Sequence, residues 1–415
     1  MKMNISIKRL QNDIEKYARY GKDPNNGITR PSFSEADFEV RDLFIDELKQ
    51  LGLEVKVDGA SNIWGVMKGN GQKKGSIVIG SHLDTVPNGG KYDGALGVLV
   101  AKEIIRTLKD HNIILNHDLE IVSFTAEEPN DFNVSTMGSR SFTGKLLPEY
   151  LMDVTDSKGT RLTDCFKKAG GGLEHFPEML QAQKDKKAFI ELHIEQGKRL
   201  EQQNISVASV DKIVGIYRDK MTVIGEANHA GTTMMEHRFD ALTAAAEMVL
   251  IAEKMAREDP KDTVCTVGKF DIFPNAANII PGKVEFVLEV RGETEEDIQQ
   301  LVANIKEEWE KIRKTRKVEF KEQNILNQKP VHLDTDIISS IENAAQKRNV
   351  PIVRLASMAG HDASHMADIS KTAMIFVKSI DGKSHCPQEY SASDDIEIAG
   401  NVMLQAILNV DEQLD

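Results

Sequence analysis

The amino-acid sequence predicts an α/β protein that has a domain with a mostly parallel sheet flanked by helices, and an inserted ferredoxin-like α+β domain. Three observations support this prediction. Apolar, β-branched runs alternate with helical patterns in the first half of the chain. The order of elements then changes after about Val210. The chain has 415 residues, which is too long for one ordinary core and sufficient for two domains.

The first half of the chain begins with helices and continues as an alternation of strand and helix. A first helix is predicted near residues 5–18, where apolar residues form one stripe. Ser32 and Glu35 form a capping-box pattern that begins a second helix, and Gly52 is expected to end it. The alternation that follows has strands at 76–81, 118–126 and 188–194 and a helix at 94–109. Apolar strands separated by helices indicate a largely parallel sheet with helices on both faces.

The second half predicts the inserted domain and then a return to the first. The order β-α-β-β-α-β is predicted from strands at 220–226, 263–271, 282–290 and 317–323 and helices at 239–257 and 294–314. The chain then returns to helix 334–348, strands 352–356 and 373–378, and helix 394–413. We therefore predict one domain from residues 1–212 and 330–415, and an inserted domain at 213–329.

Composition excludes several classes of function. The formal net charge is −13, and basic runs such as "KIRKTRK" are short, so no nucleic-acid partner is expected. Three widely spaced cysteines form neither a disulfide framework nor a CxxC site, which favours a reducing compartment. The first residues lack the apolar region of a secretion signal, and "ALTAAAEMVLIA" is too short to span a bilayer. A cytoplasmic protein without a membrane partner is expected.

Histidines and carboxylates are concentrated in short, turn-rich segments at predicted strand ends. The stretch "GSHLDTVPNGGKYDGALGV" at 80–98 contains His82, Asp84 and Asp93. Similar positions are held by Glu127, Glu128, His193 and His385. Zinc binds imidazole and carboxylate together, and manganese and cobalt accept the same ligands. A single such residue is usually an ordinary surface side chain. The set, however, predicts a metal site, because each residue lies in a short, turn-rich segment. One aspartate in such a site can bridge two ions ~3.5–4 Å apart.

The stretch "FTAEEPNDF" has two adjacent glutamates after an apolar strand. Neighbouring side chains point in different directions, so one can bind metal while the other takes a proton from metal-bound water and passes it to the leaving nitrogen. The alternative is a solvated helix N-terminus, where acidic residues face the positive end of the helix dipole.

Seven segments together resemble the dinuclear-metal amidohydrolases of the aminoacylase/carboxypeptidase type. They are similar above all to the hydantoinase/carbamoylase branch, which contains N-carbamoyl-L-amino acid hydrolases, allantoate amidohydrolases and β-alanine synthase. The segments occur in family order from residue 80 to 391 and are "GSHLDTVPNGGKYDGALGV", "FTAEE", "ELHIEQG", "ANHAGTT", "NAANIIPGKVEF", "GHDA" and "GKSHCPQEYS". The motifs "ELHIEQG" and "GHDA" distinguish this branch from ordinary peptidases of the same fold.

The resemblance implies roles for individual residues. His82, Asp93 and His193 would hold one divalent ion of zinc, manganese or cobalt. Asp93, Glu128 and His385 would hold the second, with Asp93 bridging. Glu127 would be the general base, and Asp84 would orient His82.

For the inserted domain, the resemblance implies contacts with substrate and with a second subunit. His229 would stabilise the tetrahedral oxyanion, and Asn278 and Arg291 would bind the substrate carboxylate. Gln196 and Gly360 would position the ureido end. In the resembling family the inserted domains pair, so a homodimer is expected in which His229 reaches the partner's site.

The resemblance implies hydrolysis of N-carbamoyl-L-amino acids to the amino acid, ammonia and carbon dioxide. Allantoate amidohydrolase is the alternative, and a dipeptidase, an aminoacylase or a catalytically inactive descendant is less well supported. Three residues depart from the family pattern: Pro129 follows the glutamate pair, Met234 replaces proline, and Cys386 replaces serine or asparagine. Pro129 and Cys386 border the expected metals and could change metal preference or pocket shape.

Overall fold

The computed structural model describes residues 3–415, and contacts divide the chain into two units. Unit 1 comprises residues up to Asp211 and from His332 to Asp415, and unit 2 comprises Lys212–Val331. These boundaries lie within two residues of those predicted from the sequence. The catalytic and dimerising roles assigned to the two domains stay predictions.

The helices and strands are numbered in chain order. The helices are α1 Ile7–Tyr17, α2 Glu35–Gln50, α3 Ala95–Asp110, α4 Met137–Phe142, α5 Pro148–Leu151, α6 Leu162–Lys168, α7 Phe176–Ala182, α8 Arg199–Gln203, α9 Ala241–Glu258, α10 Glu295–Arg316, α11 Thr335–Arg348, α12 Ala363–Met366 and α13 Ser393–Gln413. The strands are β1 Glu54–Val57, β2 Ile63–Met67, β3 Ser76–His82, β4 Asp118–Phe124, β5 Lys186–Ile194, β6 Val207–Ile213, β7 Gly215–Ile224, β8 Asn228–His229, β9 Val264–Phe273, β10 Ile279–Ile280, β11 Lys283–Gly292, β12 Glu319–Gln328, β13 Val331–His332, β14 Ile352–Ser357 and β15 Lys371–Val377.

Unit 1 is built on a mixed sheet whose centre is parallel. The strands pair in the order β1-β2-β4-β3-β5-β15-β6, with β14 also paired to β6. The pairs β3–β4, β3–β5 and β5–β15 are parallel, whereas β2–β4 and β15–β6 are antiparallel. Every residue of β3 is buried, which explains its continuous apolar run. The predicted mostly parallel sheet is therefore confirmed for the centre, whereas the antiparallel strands β1, β2 and β6 were not predicted from the sequence.

The second helix begins at a different serine from the predicted one. The Ser34 side chain accepts from the amide of Asp37, and the Asp37 carboxylate accepts from the amide of Phe33 at 2.8 Å. Ser32 is buried and its hydroxyl lies outside this cap. The prediction of Ser32 was wrong because a second serine, with an acid three residues on, makes the same pattern two residues later. Gly52 follows the helix with φ +70° and its amide bonds to Lys49, as predicted.

Unit 2 has one four-stranded antiparallel sheet and two long helices. Its strands pair in the order β12-β7-β11-β9, and every pair is antiparallel. Burial alternates along β11, so one face of the sheet is covered. That face and the two helices share a core in which Trp309 of α10 packs edge-on against Phe286 of β11 and donates to the main-chain oxygen of Met248 in α9. The four strands of this sheet and the two long helices follow the predicted order β-α-β-β-α-β, whereas the short strands β8 and β10 were not predicted.

Candidate active site

The carboxyl ends of the central parallel strands place three of the candidate ligand segments at one edge of the sheet. His82 is the last residue of β3 and is paired in register with Phe124, the last residue of β4. The two glutamates follow β4 three residues later, and His193 is the penultimate residue of β5. The ligand-bearing side chains therefore converge at the edge where open α/β sheets bind ligands.

The first candidate ligand group contains His82, Asp93 and His193. All three residues are buried, and their ligand atoms lie within 4.8 Å of one another. Asp93 Oδ1 is 3.7 Å from His82 Nε2 and 3.1 Å from His193 Nε2. A glycine is required behind His82, because a Cβ on Gly94, whose φ is +61°, would lie 2.2 Å from the imidazole Cε1.

The second group shares Asp93 with the first. His385 Nε2 lies 3.3 Å from Asp93 Oδ2 and 3.3 Å from Glu128 Oε1. One oxygen of Asp93 thus faces each group, which is the arrangement that a bridging carboxylate needs. These three residues also lie within 4.8 Å of one another by their ligand atoms.

The donor set fits a pair of divalent transition-metal ions. His82 Nδ1 is 3.0 Å from the main-chain oxygen of Asp84, and His193 Nδ1 is 2.9 Å from that of Ile194. A carbonyl oxygen can only accept, so each Nδ1 carries a proton and each Nε2 faces Asp93. Such second hydrogen bonds orient imidazoles that bind a metal through Nε2.

Asp84 acts on the glutamate pair as well as on His82. Its carboxylate accepts hydrogen bonds from the amides of Glu127 and Glu128, at 3.3 and 3.1 Å. The distance from that carboxylate to His82 Nδ1 is 3.6 Å, so the hydrogen bond to the imidazole is made by the Asp84 main chain. The sequence predicted a role for Asp84 in orienting His82, and the bonds from Asp84 to the glutamates were not predicted.

The turn after β4 separates the two glutamates. Ala126 has a φ of +55°, and its carbonyl accepts from Met137 at 2.9 Å. The Glu127 carbonyl accepts from Thr136 at 2.8 Å, so the start of α4 holds the turn. Glu127 Oε2 then lies 3.7 Å from His82 Nε2, whereas Glu128 faces His385. The two acids therefore point in different directions, as predicted, and they face different histidines.

Electrostatics in the cluster follow from burial and an excess of acids. Burial, and then the charges of Glu128, Asp362 and Asp84, raise the pKa of Glu127 well above its ordinary value. Burial opposes ionisation of Asp93, but His193 and His385 hold its pKa well below the usual range. Hydrogen bonds to Asp93 and Glu128 raise the pKa of His385 to about 10. Acids outnumber histidines among these residues, and bound divalent cations would neutralise the excess.

The remaining predicted site residues divide between the units. In unit 1, Gln196 donates from Nε2 to Asp93 Oδ2 at 2.7 Å, and Gly360 precedes His361, which packs against the His193 ring at 4.5 Å between centroids. Pro129 and Cys386 directly follow the candidate ligands Glu128 and His385, and Cys386 is a free thiol.

In unit 2, the segments of His229 and Asn278 are joined. His229 pairs with Ile279 between β8 and β10, and Ala230 donates to the Asn278 carbonyl at 3.0 Å. The amide of Gly231 donates to His229 Nδ1 at 3.0 Å, so the ring proton is on the exposed Nε2. Arg291 lies on β11 and pairs with Glu289 at 2.7 Å. Met234, which follows the His229 loop, is exposed.

Three polar residues beside the cluster were missed by the sequence analysis. Ser384 Oγ lies 2.8 Å from Asp93 Oδ2, and Glu389 accepts from the Asp93 amide at 3.0 Å. Asp362 is fully buried, and burial followed by the charge of Glu191 raises its pKa to about 8. Each of the three belongs to a motif quoted above, "GKSHCPQEYS" or "GHDA". Proximity to the candidate ligand His385 was therefore a signal for the first two.

Comparison with known proteins identifies the relatives of this chain. The peptidase family M20/M25/M40 matches residues 78–409. The N-carbamoyl-L-amino acid amidohydrolase of Geobacillus stearothermophilus is 36% identical over 403 residues, which cover 97% of this chain and 98% of that protein. The allantoate amidohydrolase of Bacillus subtilis is 33% identical, covering 96% of each chain. A hydantoinase/carbamoylase-family amidase from Burkholderia multivorans has a similar structure, with a TM-score of 0.88, 31% identity and 98% of each chain covered.

The fold, the candidate ligand groups and these matches define the class of protein. The chain belongs to the peptidase family M20/M25/M40. Within that family it is a member of the hydantoinase/carbamoylase branch, as its sequence predicted. It is therefore an amidohydrolase, an enzyme that acts on carbon–nitrogen amide bonds. Across residues 3–415, the structure has no helix that is both long and apolar enough to cross a membrane.

Proposed function

We propose that the enzyme hydrolyses the N-carbamoyl group of N-carbamoyl-L-amino acids to the amino acid, ammonia and carbon dioxide. The observation that supports a dinuclear mechanism most directly is Asp93, whose two oxygens face different groups of ligands. His82, Asp93 and His193 would hold one ion, and Asp93, Glu128 and His385 the other. When bound, two ions of zinc, manganese or cobalt would supply an activated water and polarise the ureido carbonyl.

Glu127 is the proposed base of this reaction. It lies beside the ligand groups without belonging to either, with Oε2 3.7 Å from His82 Nε2. It accepts the proton of the attacking water on its carboxylate and then donates that proton to the leaving nitrogen. Its raised pKa suits the second step, because a carboxyl group of raised pKa holds the proton until the nitrogen takes it. Asp84 fixes the main chain of this glutamate through the 3.3 Å hydrogen bond.

Substrate recognition is assigned to residues of both units. The exposed Nε2–H of His229 would donate to the oxyanion of the tetrahedral intermediate, since the Gly231 amide occupies Nδ1. Asn278 and Arg291 would bind the substrate carboxylate, where the guanidinium fork matches a planar acid. Arg291 would then be shared between the substrate and Glu289. Gln196 and Gly360 would position the ureido end.

A homodimer through unit 2 is also proposed, with unit 2 acting as a ferredoxin-like lid. The strand order β12-β7-β11-β9 and the two helices support that description of the fold. Strand β9 is one of the two edges of the sheet, and exposed apolar residues lie on it and on the neighbouring α9: Val264, Phe273 and Leu250. An edge of this kind is stabilised when a second strand covers it.

Subunit exchange tests the shared site. We expect Glu127→Gln and His229→Ala each to be inactive, and an exchanged mixture of the two to regain activity. One site per heterodimer would then combine Glu127 of one chain with His229 of the other. An exchanged mixture that stays inactive would show that His229 acts within its own subunit.

A substrate panel tests the reaction. Ammonia release would be measured from N-carbamoyl-L-amino acids, N-carbamoyl-β-alanine, allantoate and ureidoglycolate after reconstitution with manganese, cobalt or zinc. The Glu127→Gln protein, prepared in the same way, controls for contaminating hydrolases. Preference for N-carbamoyl-L-amino acids supports the proposal. The Bacillus subtilis relative makes allantoate hydrolysis the second candidate function, and the highest kcat/KM on allantoate would favour it over the first.

A cytoplasmic location is proposed from the three cysteines. Cys165, Cys265 and Cys386 are all free thiols, which agrees with a reducing compartment.

A further inference from the structure

The loop that carries Asp93 is held by a buried carboxylate from a distant part of the chain. Glu389 Oε1 accepts hydrogen bonds from the consecutive amides of Tyr92 and Asp93, at 2.9 and 3.0 Å. Glu389 lies four residues after His385 and is 4% exposed. Its side chain therefore connects the segments of the two candidate ligands Asp93 and His385.

The same carboxylate also reaches the Asp93 side chain through a serine. Glu389 Oε2 is 3.2 Å from Ser384 Oγ, and that hydroxyl is 2.8 Å from Asp93 Oδ2. Gln196 Nε2 lies 3.2 Å from the hydroxyl and 2.7 Å from the same Asp93 oxygen. The Ser384 hydroxyl has one proton, so it donates to one of these two carboxylates at a time. Glu389 thus acts on Asp93 directly at the main-chain amide and shares the Ser384 hydroxyl with the Asp93 carboxylate.

The Glu389 carboxylate fits against the loop that carries Asp93 because residue 90 is a glycine. A Cβ on Gly90 would lie 2.0 Å from Glu389 Oε1 and 2.2 Å from its carboxyl carbon. Any side chain at Gly90 would displace the Glu389 carboxylate. A buried carboxylate is costly unless hydrogen bonds compensate it, and here those bonds are made with the Asp93 loop and with Ser384.

We propose that Glu389 is a positioning residue that fixes the two oxygens of Asp93 between the two metal positions. It acts through the Tyr92 and Asp93 amides and through Ser384, and it does not touch substrate or metal. The inference rests on the dinuclear metal centre of the proposed function. Residues that orient a ligand in this way typically change metal affinity by ~10–100-fold when they are removed.

The test measures Co²⁺ binding to the full-length protein by visible absorption and by competition with a chelator. Glu389→Ala is expected to bind both Co²⁺ ions at least ~10-fold more weakly than the wild type. Glu389→Gln should stay close to the wild type, since its amide oxygen can accept from the two amides and its NH₂ can donate to Ser384. Equal affinity in Glu389→Ala and the wild type would overturn the proposal.

Asp411→Ala is the matched control. Asp411 is also a buried carboxylate that accepts from two consecutive amides, those of Asn116 and His117, at 2.8 and 2.9 Å. Its loss should lower thermal stability and leave Co²⁺ affinity unchanged. If Asp411→Ala weakened Co²⁺ binding as much as Glu389→Ala, the effect would be general destabilisation and the proposal would be wrong.

Two further outcomes separate this inference from the proposed function. If Glu389→Ala does not fold, Ser384→Ala removes only the arm to the Asp93 carboxylate, and it should still weaken Co²⁺ binding; unchanged binding would contradict the proposal. If Asp93→Ala binds Co²⁺ with the same affinity as the wild type, the dinuclear centre itself is wrong. Weaker binding in Glu389→Ala, Ser384→Ala and Asp93→Ala, with Glu389→Gln and Asp411→Ala close to the wild type, supports the inference.

Discussion

Two clusters of buried charge in unit 1 differ in how their acids are neutralised. In the helical cluster, formed by Asp13, Tyr17, Glu47, Lys102 and Arg106, Lys102 lies 3.1 Å from Asp13 and is hydrogen-bonded to Glu47. Arg106 also pairs with Asp13. In the strand-end cluster, formed by the candidate metal ligands with Asp84 and Glu127, the acids pair with histidines. Lysine and arginine supply the positive charge in the helical cluster. In the strand-end cluster the positive charge comes from histidines, which can give up a proton.

One glutamate from each cluster shows the consequence. Burial opposes ionisation of Glu47, but Lys102 overcomes it and lowers the pKa of Glu47 to about 2. Burial also opposes ionisation of Glu127, and neighbouring acids raise its pKa further. The acids of the helical cluster are therefore neutralised by lysine and arginine of the same chain, which suits a structural role. The strand-end cluster has the excess of carboxylates that bound divalent cations would neutralise.

The largest expected effect is on turnover in the strand-end cluster. Glu127→Gln should lower kcat by ~10²–10⁴-fold, because the amide cannot accept the proton of the attacking water. Metal content, measured by elemental analysis, should match that of the wild type. A metal-loaded variant with nearly normal kcat would remove Glu127 from the mechanism.

The Glu127→Gln variant also allows a test of folding stability in the metal-free protein. The pKa of Glu127 is raised in the folded state, so above its unfolded pKa the folded chain holds a proton that the unfolded chain releases. Folding stability from this group therefore falls as the pH rises. Glu127→Gln removes that loss, and at pH 7 its metal-free form should melt at a higher temperature than metal-free wild type.

The next largest effect is on stability in the helical cluster. Lys102→Met leaves Asp13 and Glu47 without the lysine that both contact, and removal of one partner of a buried pair costs ~3–5 kcal/mol. Urea unfolding should show this loss, while kcat and metal content of the folded protein stay normal. A drop in kcat without a drop in stability would mean that the two clusters are coupled.

The sequence predicted the strand-end cluster better than the helical one for a physical reason. His82, Asp93 and Glu128 lie in turn-rich segments after apolar strands, and parallel strands bring such segments to one edge. Lys102 lies inside α3, where a lysine between apolar residues has the pattern of an exposed helical position. It is buried because Tyr17 of α1 and Glu47 of α2 pack over it. Both residues are distant along the chain, so no local sequence pattern predicts these contacts.

The same limit explains the other omissions. Glu389 bonds to amides almost 300 residues away along the chain, so no local pattern could assign its partner. Strand β2 has only five residues and lies between turns, where a short apolar run is ambiguous. The centre of the sheet and the long helices were predicted because their hydrophobic patterns extend over many residues.

A smaller effect per ion is expected when divalent ions are removed. If the strand-end cluster binds ions only when folded, wild type should lose ~2.7 kcal/mol of stability for each ion that chelation removes from a metal concentration of 100 times Kd. The Asp93→Ala protein should show almost no difference between the two conditions, because Asp93 belongs to both ligand groups. Equal unfolding curves for wild type with and without chelator would contradict the prediction that bound ions neutralise and stabilise the strand-end cluster.

The smallest effect on stability is expected for Lys68, a surface lysine that, like Lys102, contacts two carboxylates. Lys68 lies 3.5 Å from Glu54 and 3.1 Å from Asp118, so it also has two carboxylate partners, but its side chain is 58% exposed whereas that of Lys102 is 0% exposed. Water and salt screen an exposed pair, and both ions are solvated in the unfolded chain. Lys68→Met should therefore cost no more than ~1 kcal/mol, and that cost should shrink further in high salt. Urea unfolding of Lys68→Met and Lys102→Met in low and high salt would compare two lysines that differ mainly in burial. A loss at Lys68 as large as that at Lys102 would show that the number of ion pairs, and not their burial, determines stability in this unit.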